Sequence, residues 1–225
     1  MNTTKALVMC LAFTIGLVFA ATDRSEAFSF SEKEERETQA CQRAAEERKQ
    51  EIRHLLSVPC DEKLKKRKIA LIIGEQVEER GIIYEPGKYG PLFQEISQRL
   101  KALGLRTYTQ EEIRAQIARE EVNAFLNNDV NAAASAAQRL GARTFLKGMI
   151  RSKIRLNPVV RIEEVFVTMA FTLVDASGRV LSNVTAGGDS FSGADSMAVA
   201  LDIVRSEADL VAARLYSDYC KNGAK

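Results

Sequence analysis

From about residue 143 the chain changes rhythm, and that change limits the fold more than any other feature. Residues 143–155 and 162–174 read as long strands, with Leu156-Asn157-Pro158 between them as a turn or wide loop. Val165, Val167, Ala170, Phe171 and Val174 supply the β-branched and aromatic content expected of sheet. Asp175-Ala176-Ser177-Gly178 makes the next hairpin turn. Residues 179–184 start a third strand, which fades into a glycine-rich stretch at 186–193. Strands joined in this way form an antiparallel meander, so part of the sheet is antiparallel whatever precedes it. A helix over 196–219 closes the chain, with Met197, Ala200, Leu201, Val204, Ala208, Val211, Leu215 and Tyr219 at three- and four-residue steps as a core stripe.

The preceding part has another pattern. Residues 69–74, Ile-Ala-Leu-Ile-Ile-Gly, form a short continuous apolar run of the kind buried on both faces of a sheet. The basic run at 63–68 reads as a solvated lead into it. After a polar loop at 75–88, Leu92, Phe93, Ile96, Leu100 and Leu103 line one face of a helix closed by Gly104. A strand at 105–109 follows. A helix at 110–126 comes next, with Thr109 and Glu112 spaced as a capping box, and then a short alanine-rich helix over 129–140. Residues 32–57 read as one charged helix ended by Pro59, an appendage with a narrow stripe of small side chains. The fold class is therefore α/β (α+β). A mixed β-sheet runs βαβαα, then a three-stranded antiparallel meander and a closing C-terminal helix, with an N-terminal helical extension.

The first residues speak to location. Lys5 precedes an uninterrupted apolar run at 6–21 that ends on small residues, the form of an export signal. The run is short for a membrane span, which needs about 20 apolar residues, and no basic stop-transfer cluster follows Asp23 and Arg24. The expected organisation is a signal peptide at 1–21, a helical extension at 32–57 and an α/β domain at 67–220. The mature chain is then periplasmic or secreted, from a bacterium, with no lasting membrane span after cleavage.

Charge and histidine content exclude several functions. The chain carries 32 Lys and Arg against 30 Asp and Glu, and loss of the signal removes only Lys5. Such a balance is not that of a nucleic-acid binder, which concentrates excess positive charge on one face. His54 is the only histidine, so a Ser-His-Asp site would have to use it, and a His-rich zinc site cannot be built. The acid pairs Glu34-Glu35, Glu111-Glu112, Glu120-Glu121 and Glu163-Glu164 point apart as sequence neighbours and do not make converging dyads. Two stretches are candidate ligand loops: Gly74-Glu75 after the first strand, and Gly187-Gly188 before the last helix. Neither has the spacing of a Walker loop or a dinucleotide fingerprint. No catalytic residue, metal ligand or cofactor is expected.

Cysteines carry more. With the signal removed, Cys41, Cys60 and Cys220 remain, which predicts one disulfide and one leftover thiol in an oxidising compartment. If 41–57 stays helical it rises about 24 Å, while the three steps to Cys60 recover only about 10 Å. A Cys41–Cys60 bond would break that helix. In a meander the third strand parallels the first. If the first parallels the 69–74 strand, the last helix ends near the edge where that strand begins, just beyond Cys60. The expected pair is Cys60–Cys220. Cys41 is left to be buried or to link two chains, and a homodimer through Cys41 or the N-terminal helix is the self-association this allows.

The chain also resembles a known group. The run at 69–74, the helix ending Leu100-Lys101-Ala102-Leu103-Gly104, the stretch Leu140-Gly141-Ala142-Arg143-Thr144-Phe145-Leu146-Lys147-Gly148 and the turn Val174-Asp175-Ala176-Ser177-Gly178 carry the likeness. Over about 67–219 they look like the α/β module of curli secretion lipoproteins, flagellar assembly protein T and penicillin-binding-protein activator lipoproteins, and are similar in outline to the amino-terminal domain of TolB. The resemblance implies a non-enzymatic envelope module that docks on other envelope proteins. The lipid-site cysteine of the lipoprotein members is absent, because Cys10 sits in the middle of the apolar run. The expected function is an exported periplasmic interaction or assembly module. The alternatives are a small-ligand-binding module using the two glycine loops and an exported hydrolase using His54.

Overall fold

The computed structural model describes residues 24–79, 81–84, 90–118, 122, 135, 139–193 and 195–223. The apolar run at 6–21, with its reading as a signal, lies outside them, as does most of the helix expected at 129–140. The chain divides into two compact units, Met1–Arg53 and His54–Lys225. In the first, the described residues belong to a helix α1 (Arg24–Leu56), whose last three residues fall in the second unit. From Lys33 onward its Glu and Lys residues are exposed, while Cys41, Ala44, Ala45, Arg48 and Ile52 are half-buried. Cys41 is disulfide-bonded, and no described cysteine is free. That bond belongs to the chain with residues 1–21 present, whereas the leftover thiol at Cys41 is expected with them removed.

The second unit is built on one mixed sheet. Its strands are β1 (Lys68–Glu79), β2 (Ile82–Tyr84), β3 (Arg106–Thr107), β4 (Thr144–Leu156), β5 (Glu163–Asp175) and β6 (Val180–Ser192). The order across the sheet is β2-β1-β4-β5-β6, with β3 on the first two residues of β1. β1 and β4 are parallel from Ile69 opposite Thr144 to Glu79 opposite Ile154. β4, β5 and β6 form the antiparallel meander, with one register shift at Leu173/Val174. Helices α2 (Glu62–Lys65), α3 (Pro91–Ala102), α4 (Gln110–Gln116) and α5 (Ser196–Asn222) complete the described elements.

The alternation of strand side chains creates two cores. Leu71, Ile73, Ile150, Val167, Met169 and Phe171 point to the face covered by α3 and α5, where they meet Leu92, Ile96, Leu100, Val204, Ala208 and Val211. The other core is smaller. Ala70, Ile72 and Phe145 meet Ile113, Ile117, Leu140 and Ala142. It covers only the starts of β1 and β4, which explains why residues 69–73 are apolar without alternation. Farther along that face Arg151, Thr168, Ala170 and Thr185 are exposed. α4 carries the expected capping box: Thr109 Oγ1 accepts from the Glu112 amide and Glu112 Oε2 accepts from the Thr109 amide.

Among the boundaries that differ from the sequence reading, three bear on the site. β1 does not end at Gly74 but runs to Glu79 and turns back into β2, so residues 75–79 are strand and not loop. α4 ends at Gln116, where Ile117 turns extended and drops into the smaller core at 4% exposure. β6 runs through Gly187 and Gly188 to Ser192. A Cβ on Gly187 would stand 2.3 Å from the Val167 carbonyl oxygen. Glycine is needed there because β6 lies so close to β5, a packing requirement and not a loop signal.

The two ends of this unit are tied together. Cys60 and Cys220 form a disulfide with a Cα–Cα distance of 4.7 Å across a sequence separation of 160. One residue earlier, the Tyr219 hydroxyl donates to the Leu64 carbonyl at 3.0 Å, and both side chains are buried. Asp61 caps α2 by accepting from the Lys63 amide at 2.7 Å. In the chain-entropy model a closed loop of this length is worth on the order of 5 kcal/mol.

Candidate interaction surface

The residues expected to hold a ligand sit within strands. Gly74 and Glu75 lie inside β1, Gly187 and Gly188 inside β6, and none occupies a loop. Two strands separate the pairs, a distance of about 14 Å at ordinary strand spacing. The structure therefore does not bring them together.

Glu75 has another task. The first helical turn of α3 leaves backbone amides without partners, and its cap residue, Gly90, has no side chain to supply one. The Glu75 carboxylate reaches across from β1 and accepts from the amides of Phe93, at 2.7 Å, and Gly90. A Cβ on Gly90 would come within 2.5 Å of Glu75 Oε2, so the cap depends on glycine there. Burial to 8% exposure raises the Glu75 pKa above its ordinary value, against the opposing pull of the two amides. It is a helix cap built from a distant strand.

His54 is exposed, and the Ser57 hydroxyl donates to its backbone carbonyl at 2.7 Å, not to its ring. Among the described residues no three His, Cys, Asp or Glu side chains gather as metal ligands, and no helix is long and apolar enough to cross a membrane. A cavity of about 10 Å³ lined by Ile69, Leu100, Leu146, Leu215 and Tyr219 holds at most one water.

The surface is distinctive elsewhere. Eight large apolar side chains among the described residues are exposed, and seven of them stand at one end of the sheet. Leu156, Val159, Val160 and Ile162 belong to the β4–β5 hairpin; Val159, at its tip, is 87% exposed. Phe191 lies opposite Glu164 near the end of β6, and Ile82 opposite Glu79 at the turn into β2. Met197 is in the first turn of α5, brought to this end by the Ser196 hydroxyl, which donates to Glu163 at 2.8 Å. Only Val180 is at the opposite end.

Local chemistry holds this end in shape. Asn157 Oδ1 accepts from the amides of Val159, at 3.0 Å, and Val160, at 3.3 Å. The Asn157 amide donates to the Ile162 carbonyl, and Arg161 returns a bond to the Asn157 carbonyl, both at 2.9 Å. Arg161 takes the left-handed conformation, with φ 54°, to close the loop. Below the tip, Lys153 pairs with Glu78 and Arg155 lies over the Phe166 ring at 5.9 Å. Lys153 is thus engaged by a carboxylate and Arg155 by a ring, while Leu156, Val159, Val160 and Ile162 are exposed. Exposed apolar side chains scattered singly are ordinary, whereas here four share one pre-shaped hairpin loop. The sequence held a signal for it: Val159, Val160 and Ile162 occupy a loop where polar residues are the rule.

No family model matches the chain, and no curated protein matches it. Several solved structures are similar. The hypothetical protein CT253 of Chlamydia trachomatis is 12% identical, with a TM-score of 0.46, over 69% of this chain and 99% of that one. The lipoprotein GNA1162 of Neisseria meningitidis is 14% identical, with a TM-score of 0.38, over 64% and 98%. A minor lipoprotein of Acinetobacter baumannii is 12% identical, with a TM-score of 0.37, over 68% and 94%. The structures similar to this chain thus include bacterial lipoproteins.

Proposed function

We propose that this chain is an exported, non-enzymatic interaction module of a bacterial envelope, and that it docks on a protein through the apolar end of its sheet. The observation that carries the reading is that, among the described residues, seven of eight exposed large apolar side chains stand at that end. The export-signal form of residues 1–21 supports the location, and a single exposed histidine supports a role in contact over one in catalysis.

A protein suits this surface better than a lipid bilayer. Glu78, Glu79, Glu163, Glu164 and Asp189 lie among Lys153, Arg155 and Arg161, a mixture that an anionic lipid surface would not favour. The chain also has no tryptophan, a residue enriched where proteins sit at a bilayer interface. Aliphatic side chains ringed by charges of both signs match the apolar centre and polar rim of a protein interface.

The test compares the native chain with one carrying Val159→Glu and Val160→Glu, after crosslinking in the intact envelope. The native chain is expected to yield a discrete protein adduct that the double variant loses, with both chains equally folded by circular dichroism. An adduct that survives the double substitution, or native adducts to lipid alone, would overturn the reading.

A further inference from the structure

The loop at the apolar end carries a single charge. From Leu156 to Ile162 the chain reads Leu-Asn-Pro-Val-Val-Arg-Ile, so Arg161 is the one ionised side chain among aliphatic neighbours. It is exposed, and among the described residues no carboxylate pairs with its guanidinium. The cations along β4 are engaged: Lys153 pairs with Glu78, Arg151 donates to the Gln76 side-chain oxygen at 3.0 Å, and Arg155 lies over the Phe166 ring. The carboxylates that follow Arg161 in the chain have other neighbours. Glu163 accepts from the Ser196 hydroxyl, and Glu164 stands in register with Arg155 on β4.

Arg161 also holds a backbone conformation that its own side chain disfavours. At φ 54° the Cβ of an L-residue crowds the main chain, so glycine, and less often asparagine, usually fills such a position. The loop fixes this conformation from both sides. The Arg161 amide donates to the Asn157 carbonyl, and the Asn157 amide donates to the Ile162 carbonyl, both at 2.9 Å. Glycine would serve folding better here. A long cationic side chain where the fold favours none is therefore a feature that folding does not explain.

We propose that the protein docking on this end presents an aspartate or glutamate within its apolar contact surface, and that Arg161 pairs with that carboxylate and so sets which protein fits. The inference rests on the docking reading above and adds the chemistry of the partner. Arg161 lies between Val160 and Ile162, so a protein that covers those side chains also takes water from the guanidinium. An unpaired charge is unfavourable to bury, whereas a guanidinium and a carboxylate joined by two parallel hydrogen bonds satisfy each other. The backbone that carries the guanidinium is already fixed, which limits the ordering needed on contact. Glu163 and Glu164, two and three residues on, favour one discrete carboxylate over an extended anionic surface, which they would repel.

The test starts from a photo-crosslinking side chain at Val159 of the full chain in the intact envelope, which reports docking itself. Adding Arg161→Glu is expected to cut the protein adduct by on the order of tenfold. Arg161→Gly should cut it too while the thermal midpoint stays level or rises, because glycine takes φ 54° without crowding. Arg161→Lys, without the photo-probe, places an amine at the same position. A carbodiimide, which condenses an amine with a carboxylate to an amide, should then join residue 161 to an Asp or Glu of the same captured protein, located by mass spectrometry. No adduct at Val159 would overturn the docking reading and this inference with it. An adduct indifferent to Arg161→Glu, a midpoint that falls with the adduct in Arg161→Gly, or no coupled carboxylate on the captured protein would overturn this inference and leave docking standing.

Discussion

The two ends of the sheet are made of the same strands and could hardly be more different. Where β1 and β4 begin, helices cover both faces, a disulfide and the Tyr219–Leu64 hydrogen bond join the start of the unit to its last helix, and Val180 alone is exposed among the large apolar side chains. Where those strands finish, one face is open and seven such side chains face outward. The difference separates two tasks. One end supplies the stability that a small unit needs, and that lets the other keep apolar surface exposed, which a fold relying on every apolar side chain for its core would not tolerate.

Breaking the closed end should have the largest effect. Replacing Cys60 and Cys220 by Ala is expected to cost up to about 5 kcal/mol in denaturant unfolding, with the loss reproduced by reductant on the native chain. An unfolding free energy unchanged by reductant would place the stability elsewhere and undo the contrast.

Gly187→Ala comes next. The new methyl meets a backbone oxygen that cannot rotate aside, so the thermal midpoint should fall by an amount corresponding to about 1–3 kcal/mol. Because Gly187 pairs opposite Thr168 nearer the apolar end, a partner-docking defect accompanying that fall would show how far the sheet's shape governs its tip.

Glu75 gives the smallest and most diagnostic effect. Glu75→Ala strands the first amides of α3 and should cost about 1 kcal/mol. Burial raises the folded pKa, so the folded chain holds its proton more firmly than the unfolded one. The stability linked to that proton, distinct from the cap hydrogen bonds, is therefore fully present below the ordinary Glu pKa and is lost as pH rises through the raised folded value. Glu75→Gln keeps an acceptor without a titrating proton and should flatten that slope in unfolding measured across the acidic range. A slope that persists in Glu75→Gln would assign it to another group.

These residues also mark what a sequence can and cannot disclose. Element order was legible because helical stripes and the meander's turn residues act locally: Thr109 and Glu112 needed only their own spacing to announce the capping box. Strand direction was legible too, since three strands in a meander leave the first and third parallel, as β4 and β6 are. The far half of β1 was hidden because Glu75, Gln76 and Glu78 look like loop. They are strand because β4 continues beside them and because the amides that satisfy Glu75 lie well along the chain. Glycine misled in the same way. Gly187 has low strand propensity in isolation, yet contact with β5 decides the matter. The apolar end was the least visible, for its members come from four separate segments that only the sheet register brings together.

The most direct measurement sets one end against the other. A photo-crosslinking side chain placed at Val159, and separately at Val180, puts the same chemistry at exposed aliphatic positions on the two ends. In the intact envelope the Val159 probe should capture one discrete protein and the Val180 probe should not. Equal capture from both positions, or capture from Val180 alone, would contradict the account.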